Sequence, residues 1–314
     1  MMKNTLFYCL LFCWIFSGRA LLAQSVHGYC PLDKAHPVYF YGDRISYAGT
    51  EIKLDKKTFF IDGQLSDETV SRYPFVFNSF NEAAKAFVAG TEAEPMRVYI
   101  APYVYWIDNP DDPQVRVGKE GKEPFGLVVK CPYLHLIGLT DNPENVVLAS
   151  SRGQTQGAVG NFTMFDFWGD GLQVRNLTMG NFCNVDLEFP LKKELGRKKR
   201  MSAITQAHVA YCHGDKIVAE KVRFISRLNM NPLNGAKRIL FYKCYMESTD
   251  DALTGTGVYL DCTLKFYGQK PFWQTDMGGA VFLNSDFYIC HEEDRQYFCK
   301  GVSPLSVVDC RFHV

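Results

Sequence analysis

Charge of one sign is what this sequence most plainly lacks: 34 lysines and arginines stand against 34 aspartates and glutamates in 314 residues. Nucleic-acid binding usually asks for a basic surplus, so that partner class is set aside. No Cys-x-x-Cys and no His-Glu-x-x-His occurs. The common zinc patterns are therefore missing, and neither a metal nor another cofactor is expected. Past the first two dozen residues no apolar run is long enough to span a bilayer, so membrane insertion is not expected. No cysteine directly follows the small residues between Ala20 and Ala23, which removes a lipid anchor.

What is present begins with "MMKNTLFYCLLFCWIFSGRALLAQ". Lys3 supplies a positive start, Leu6 to Phe16 a short apolar core, and Ala23/Gln24 a cleavage point. Residues 1–23 read as a signal peptide, which sends the chain to the periplasm or outside the cell. Of eleven cysteines, Cys9 and Cys13 leave with it. Nine remain, an odd number, and several sit in strand-like runs where a small apolar thiol packs well. Most are expected to be buried free thiols; Cys290 and Cys299, flanking a polar loop, are the expected disulfide. Aromatic residues make up 14% of the chain. Their first reading is core; sugar-binding clefts also use their flat faces.

The second half repeats itself. "VRNLTM" (174–179), "AEKVRF" (219–224), "FYKCYM" (241–246), "YLDCTL" (259–264), "FLNSDF" (282–287) and "VVDCRF" (307–312) share one pattern. An apolar residue is followed by Asn, Asp or Lys, a small or apolar residue, a variable one and a large apolar one. The recurring fourth positions are Leu177, Val222, Cys244, Cys262, Ser285 and Cys310. A step near 22 residues with one short strand per step predicts an all-β, right-handed parallel β-helix, with these residues stacked inward as a ladder. A sandwich would favour turn signals every 8–12 residues instead.

The first half fits the same plan. "FNSFNEAAKAFVAG" (77–90) has helical spacing, with Asn78 or Ser79 as N-cap and Gly90 as stop, and predicts a helix over 79–89 that covers the open end of the solenoid. "MRVYIAP" (96–102) and "YLHLIGL" (133–139) read as strands, and "LKKELGRKKR" (191–200) as a solvated basic loop. The expected division is a signal peptide at 1–23, an N-terminal extension at 24–74 and a β-helix domain at 75–314. The chain ends directly after a repeat unit, so either something else closes the last coil or the chain belongs to a longer protein.

In this order the motifs resemble the pectin methylesterase family of the pectin-lyase-like β-helix superfamily, over roughly residues 75–290. "FNSFNEAAKAF" is similar to that family's opening helix, and "MRVYIAPYVYWID" to its strand ending in a Pro-Gly-Val-Tyr-like turn. "LHLIGLTDNPENVVLA", "GDGLQVRNLTMGN", "TQAHVAYCHGDKIVAEKVRF" and "CYMESTDDALTGTGVYLDCTL" follow as counterparts of its later segments. The resemblance implies a carbohydrate esterase that cleaves ester groups on an acidic, plant-type uronate polysaccharide, and a monomer. Carried over by position, the nucleophilic aspartate falls on Asp251 and the first oxyanion-binding glutamine on Gln206. The family's second catalytic aspartate falls in "SRLNMNPL" (226–233), on Asn229 or Asn231, and an amide cannot donate a proton as an acid does. The family's later Arg-Pro-Trp motif finds only a weak echo in "QKPFW" (269–273).

Asp250 and Asp251 also admit a plain reading as turn formers. Asp250 is a substitute for the missing acid only if the pair lies in a turn, because neighbouring strand residues face opposite ways. His208 and His213 titrate near neutrality when unperturbed, but both read first as structural. Trp168 and Trp273 read as core first and sugar platforms second. Two further functions stay open. One is a β-helix glycoside hydrolase or lyase; inverting hydrolysis needs two carboxylates with a water between them, for instance Asp250 and Asp215. The other is a non-catalytic glycan-binding β-helix, which the missing second acid favours.

Overall fold

Each ladder residue is preceded by a residue with left-handed backbone. Asn176, Lys221, Lys243, Asp261, Asn284 and Asp309 have φ between 48° and 54°. Four of the six are Asn or Asp, the residues that tolerate this conformation best after glycine. This is what the repeated polar residue does: it bends the chain from one strand into the next at the same place in every coil. The residue that follows is turned inward. Leu177, Val222, Cys244, Cys262 and Ser285 are buried, and Cys310 on the last coil is partly so. The polar rungs each reach back to the coil before. Cys244 Sγ donates to the carbonyl of Ala219 at 3.3 Å, Cys262 Sγ to that of Phe241 at 3.3 Å, and Ser285 Oγ to that of Tyr259 at 3.2 Å.

The structure is a computed structural model that describes residues 25–314 apart from 252, 254, 255, 276 and 277. The signal-peptide reading falls on 1–23, outside the described residues. From Thr58 onward every pairing between strands is parallel, as in Leu240 with Val258 and Phe282 with Val307. The chain winds as a right-handed β-helix with three faces. The first runs from Thr58–Ile61 through Met96–Ile100 and Leu134–Gly138 to Leu305–Val308. The second runs from Tyr103–Trp106 through Val146–Ser150 to Arg311–His313. The third contains Phe125–Lys130, Phe162–Trp168 and Ala207–Cys212. Single bridges carry it on, Gln206 with Leu228, Leu253 with Phe272 and Phe272 with Cys299. Inside, like residues stack at the coil spacing: the rings of Phe241, Tyr259 and Phe282 are 4.7 and 4.5 Å apart, nearly parallel.

The N-terminal helix is present as Phe80–Lys85, and Ser79 caps it by accepting from the Glu82 N–H. It ends before the expected Gly90. Phe87 leaves the helix to meet the rings of Phe59 and Phe80 at 6.1 and 6.0 Å, so core packing outbids another turn. Phe80 and Ala83 are buried in the end of the core. The solenoid starts earlier than residue 75: Thr58–Ile61 already pairs in parallel with Met96–Ile100. All four of its residues are buried, so it lacks the in-out alternation that marks the later coils. Only Tyr39–Phe40, Arg44–Tyr47 and Thr50–Lys53 form a separate antiparallel sheet. The expected Cys290–Cys299 bridge is not formed, and all nine described cysteines are free. Cys299 packs against the core while Cys290 is exposed, so the two thiols serve different environments.

Candidate functional site

Gln206 stands at the entry of Ala207–Cys212 on the third face. Its backbone bridges Leu228 on the next coil, and the Thr249 N–H donates to the Arg227 carbonyl one coil further. Gln206, Asn229 and Asp251 therefore lie on three successive coils, about 10 Å from first to last at the strand spacing. They line one cleft of about 600 Å³, together with His208, Asn231 and Trp273. A larger groove, about 840 Å³, lies beside the second face between Phe182, Phe189 and Arg223 and contains none of the expected residues.

Asp250 and Asp251 sit in a bend, and Asp251 has φ of 56°. Strand alternation is thereby cancelled. Both carboxylates reach the same ammonium: Lys300 Nζ is 2.8 Å from Asp250 Oδ2 and 2.8 Å from Asp251 Oδ2. Burial works against the charge on Lys300, but the two carboxylates outweigh it and hold the ammonium above its ordinary range. The backbone of Asp251 is anchored by its N–H to the Lys270 carbonyl at 3.2 Å. Its second oxygen, Oδ1, is buried without a partner among the described residues. Asp250 is half-exposed and does not line the cleft.

Asn229 and Asn231 both take left-handed backbone, with φ of 52° and 50°. That lets two residues separated by the buried Met230 turn toward the cleft. Asn231 Nδ2 donates to the Tyr211 hydroxyl at 3.5 Å, and Asn229 Oδ1 is buried without a partner among the described residues. Trp273 is half-exposed at the rim, with Lys300 Nζ 5.7 Å from its ring centre. Trp168 is elsewhere. It closes the far end of Phe162–Trp168, stacks on His213 at 4.0 Å and donates its indole N–H to Asp166. His213 also bonds Asp166, at 2.8 Å, so these three form a cluster outside the cleft. Asp215 is likewise absent from the cleft, paired with Arg238, which holds its carboxyl down at about 2.

Sequence reading missed three side chains. Lys300 lies 49 residues from Asp251 in "FCKG", with no local signal. Glu123 comes from the loop ahead of Phe125–Lys130, and its Oε1 is 2.9 Å from His208 Nδ1. Tyr211 is held protonated by burial, reinforced by the Glu123 carboxylate. No group of His, Cys, Asp and Glu among the described residues could hold a metal ion. The cleft thus offers one carboxylate held by a cation, several amides, a buried imidazole and an aromatic rim.

No known protein-family model matches the chain, and no curated protein does. Solved structures do match. The pectin methylesterase from Aspergillus niger superposes with a TM-score of 0.52 at 10% identity, over 82% of this chain and 86% of that one. The pectin methylesterase from carrot gives 0.50 at 12% identity, over 81% and 82%. The Escherichia coli protein YbhC gives 0.52 at 15% identity, over 84% and 74%. Of the pectin methylesterase PemA from Erwinia chrysanthemi this chain spans 66% of the length. At such identities the likeness is one of architecture: this chain has the right-handed parallel β-helix fold that pectin methylesterases have.

Proposed function

We propose that the protein is an exported carbohydrate esterase that removes methyl groups from a uronate-containing polysaccharide, with Asp251 as nucleophile. The observation that carries this reading is the meeting of Gln206, Asn229, Asn231 and Asp251, from three coils, in one cleft. Asp251 Oδ1 is the attacking atom, because Oδ2 is taken by Lys300 while Oδ1 has no partner among the described residues. Attack on the ester carbonyl puts negative charge on the carbonyl oxygen. The Gln206 side-chain amide is the candidate donor for it, with Asn229 or Asn231 as a second. Lys300 fixes the Asp251 rotamer by holding Oδ2 at 2.8 Å. Trp273 offers a flat face to a sugar ring at the rim. Export belongs to the proposal and rests on the pattern of residues 1–23.

Methanol release from methyl-esterified pectin tests it. The wild type is expected to release methanol and Asp251→Asn to lose the activity by about 10⁴-fold or more, the scale of removing a catalytic nucleophile. Release that survives Asp251→Asn unchanged removes Asp251 from the mechanism. A second reading, glycan binding without catalysis, is favoured by one observation: Asp251 is the only carboxylate among the described residues lining the cleft. Binding to esterified uronans without methanol release from any of them selects it. Two-carboxylate glycoside hydrolysis finds less support, since Asp250 and Asp215 both lie outside the cleft.

A further inference from the structure

The family's second acid has an asparagine in its place, so a proton donor for the departing alcohol has to be found elsewhere. One group in the cleft is built for it. His208 lies on the strand Ala207–Cys212 and is buried, with 1% of its surface exposed. Its Nδ1 faces three oxygens: Glu123 Oε1 at 2.9 Å, Thr163 Oγ1 at 3.1 Å and the Tyr211 hydroxyl at 3.4 Å. Thr163, paired with His208 on the preceding coil, bonds the same Glu123 oxygen. A carboxylate oxygen accepts only, so the proton of the neutral ring sits on Nδ1 and points at Glu123. Nε2, on the far edge of the ring, is left as a base. It has no hydrogen-bond partner among the described residues although it is buried. An unpaired buried ring nitrogen is costly unless something else bonds it. His208 lines the same cleft as Asp251, whose Oδ1 is orphaned in the same way.

We infer that His208 is the proton-transfer residue of this cleft, held in tautomer and orientation by Glu123, and that it takes over the work of the missing carboxylic acid. The inference rests on the esterase reading above. Protonated, the ring carries its second hydrogen on Nε2, and the imidazolium is stabilised by the Glu123 carboxylate. As Asp251 Oδ1 bonds to the ester carbon, the bond from that carbon to the methoxy oxygen breaks. The Nε2 proton passes to that oxygen, and methanol leaves. The anhydride between Asp251 and the uronate is then attacked by water. The neutral Nε2 takes one proton from the water, and the bond to Asp251 breaks. Uronic acid and free Asp251 result, the imidazolium is restored, and the uronic acid loses its proton to solvent. One ester and one water give one uronate, one methanol and one proton, with no further reactant.

The first step then needs a proton on His208 Nε2. The groups facing it are Glu123 from the loop ahead of Phe125–Lys130, Thr163 from Phe162–Trp168, Tyr211 from its own strand, and Asp251 across the cleft. The experiment measures methanol release against pH for wild type, Asp251→Asn, His208→Gln and Glu123→Gln, with pectin binding measured on each. His208→Gln is expected to lower kcat by about 10²–10⁴, to leave pectin binding in place, and to remove the alkaline limb of the kcat profile. Glu123→Gln keeps the ring and is expected to lower kcat less, moving that limb to lower pH, and it decides the matter if His208→Gln does not fold. A glutamine with no effect at either position, in an enzyme that Asp251→Asn inactivates, overturns the role of His208 and leaves the esterase reading standing. No methanol from the wild type overturns both.

Discussion

On the esterase proposal, Lys300 is the residue that separates a turn-forming aspartate pair from a poised nucleophile. A lone Asp-Asp bend would leave both carboxylates to solvent. Here one ammonium holds one oxygen of each, and Asp251 Oδ1 is left buried without a partner among the described residues. Lys300 comes from two coils further on, since Leu253 bridges Phe272 and Phe272 bridges Cys299. Lysine gives a single point contact, whereas arginine gives a fork. Removing it frees the carboxylate to rotate out of line. Lys300→Met is therefore expected to lower kcat about 10²-fold with little change in KM, the cost of a small misplacement of a reacting group. Methanol-release kinetics check it; an unchanged kcat removes Lys300 from the site. The position was not legible in the sequence, because a lysine 49 residues away in an ordinary loop carries no signal until the coils are stacked.

At the scale of the element, the coil is made by one bend and one rung, repeated. The bend needs left-handed backbone, the rung a small inward side chain. Asn284 shows both the reason and the weakness. Its φ is 48°, and its side-chain amide donates to Asp261 Oδ1 on the coil before at 2.7 Å. A β-branched residue there meets its own backbone, while glycine does not. Asn284→Val is expected to destabilise the protein by about 1–3 kcal/mol and Asn284→Gly by less, measured by urea unfolding. Equal losses would mean that the hydrogen bond, not the bend, matters at this position. The repeat was legible because one rung recurs each coil with its neighbour Asn, Asp or Lys. Thr58–Ile61 was missed because a strand buried along its whole length carries no alternation.

For the whole molecule, acid stability follows from charges lined up on the outside of the first face. Arg97, His135 and Gln173 are paired in register, and Arg175 is beside them. Burial, then Arg97 and Arg175, push the His135 imidazole down to about 4. Unfolded, the ring returns to about 6.5. Between those values the unfolded chain binds the extra proton, so stability is full above about 6.5 and is lost as pH falls toward 4. His135 is only half-buried, and solvent screening trims the effect to roughly 1 kcal/mol. His135→Gln is expected to narrow the fall in Tm between neutral and acid pH by about 2–4 °C. Identical Tm curves against pH would rule the residue out as a sensor.

The repeat of small inward residues and the helix that opens the solenoid were determined by sequence alone, since both rest on spacing along the chain. So was Asp251 as a candidate, through the order of motifs around it. Tertiary structure decided what surrounds that candidate. Stacking brought Lys300 to both aspartates and set Trp273 at the rim while leaving Trp168 with His213. It also turned His208, in sequence a lone histidine in an apolar strand, into a buried ring with Glu123 on one nitrogen and, among the described residues, no partner on the other. The physical reason is the same throughout. A parallel β-helix builds its surface from residues one coil apart, so neighbours in space are some twenty residues or more apart in the chain. Local pattern specifies the coil, and only the register between coils specifies which side chains meet.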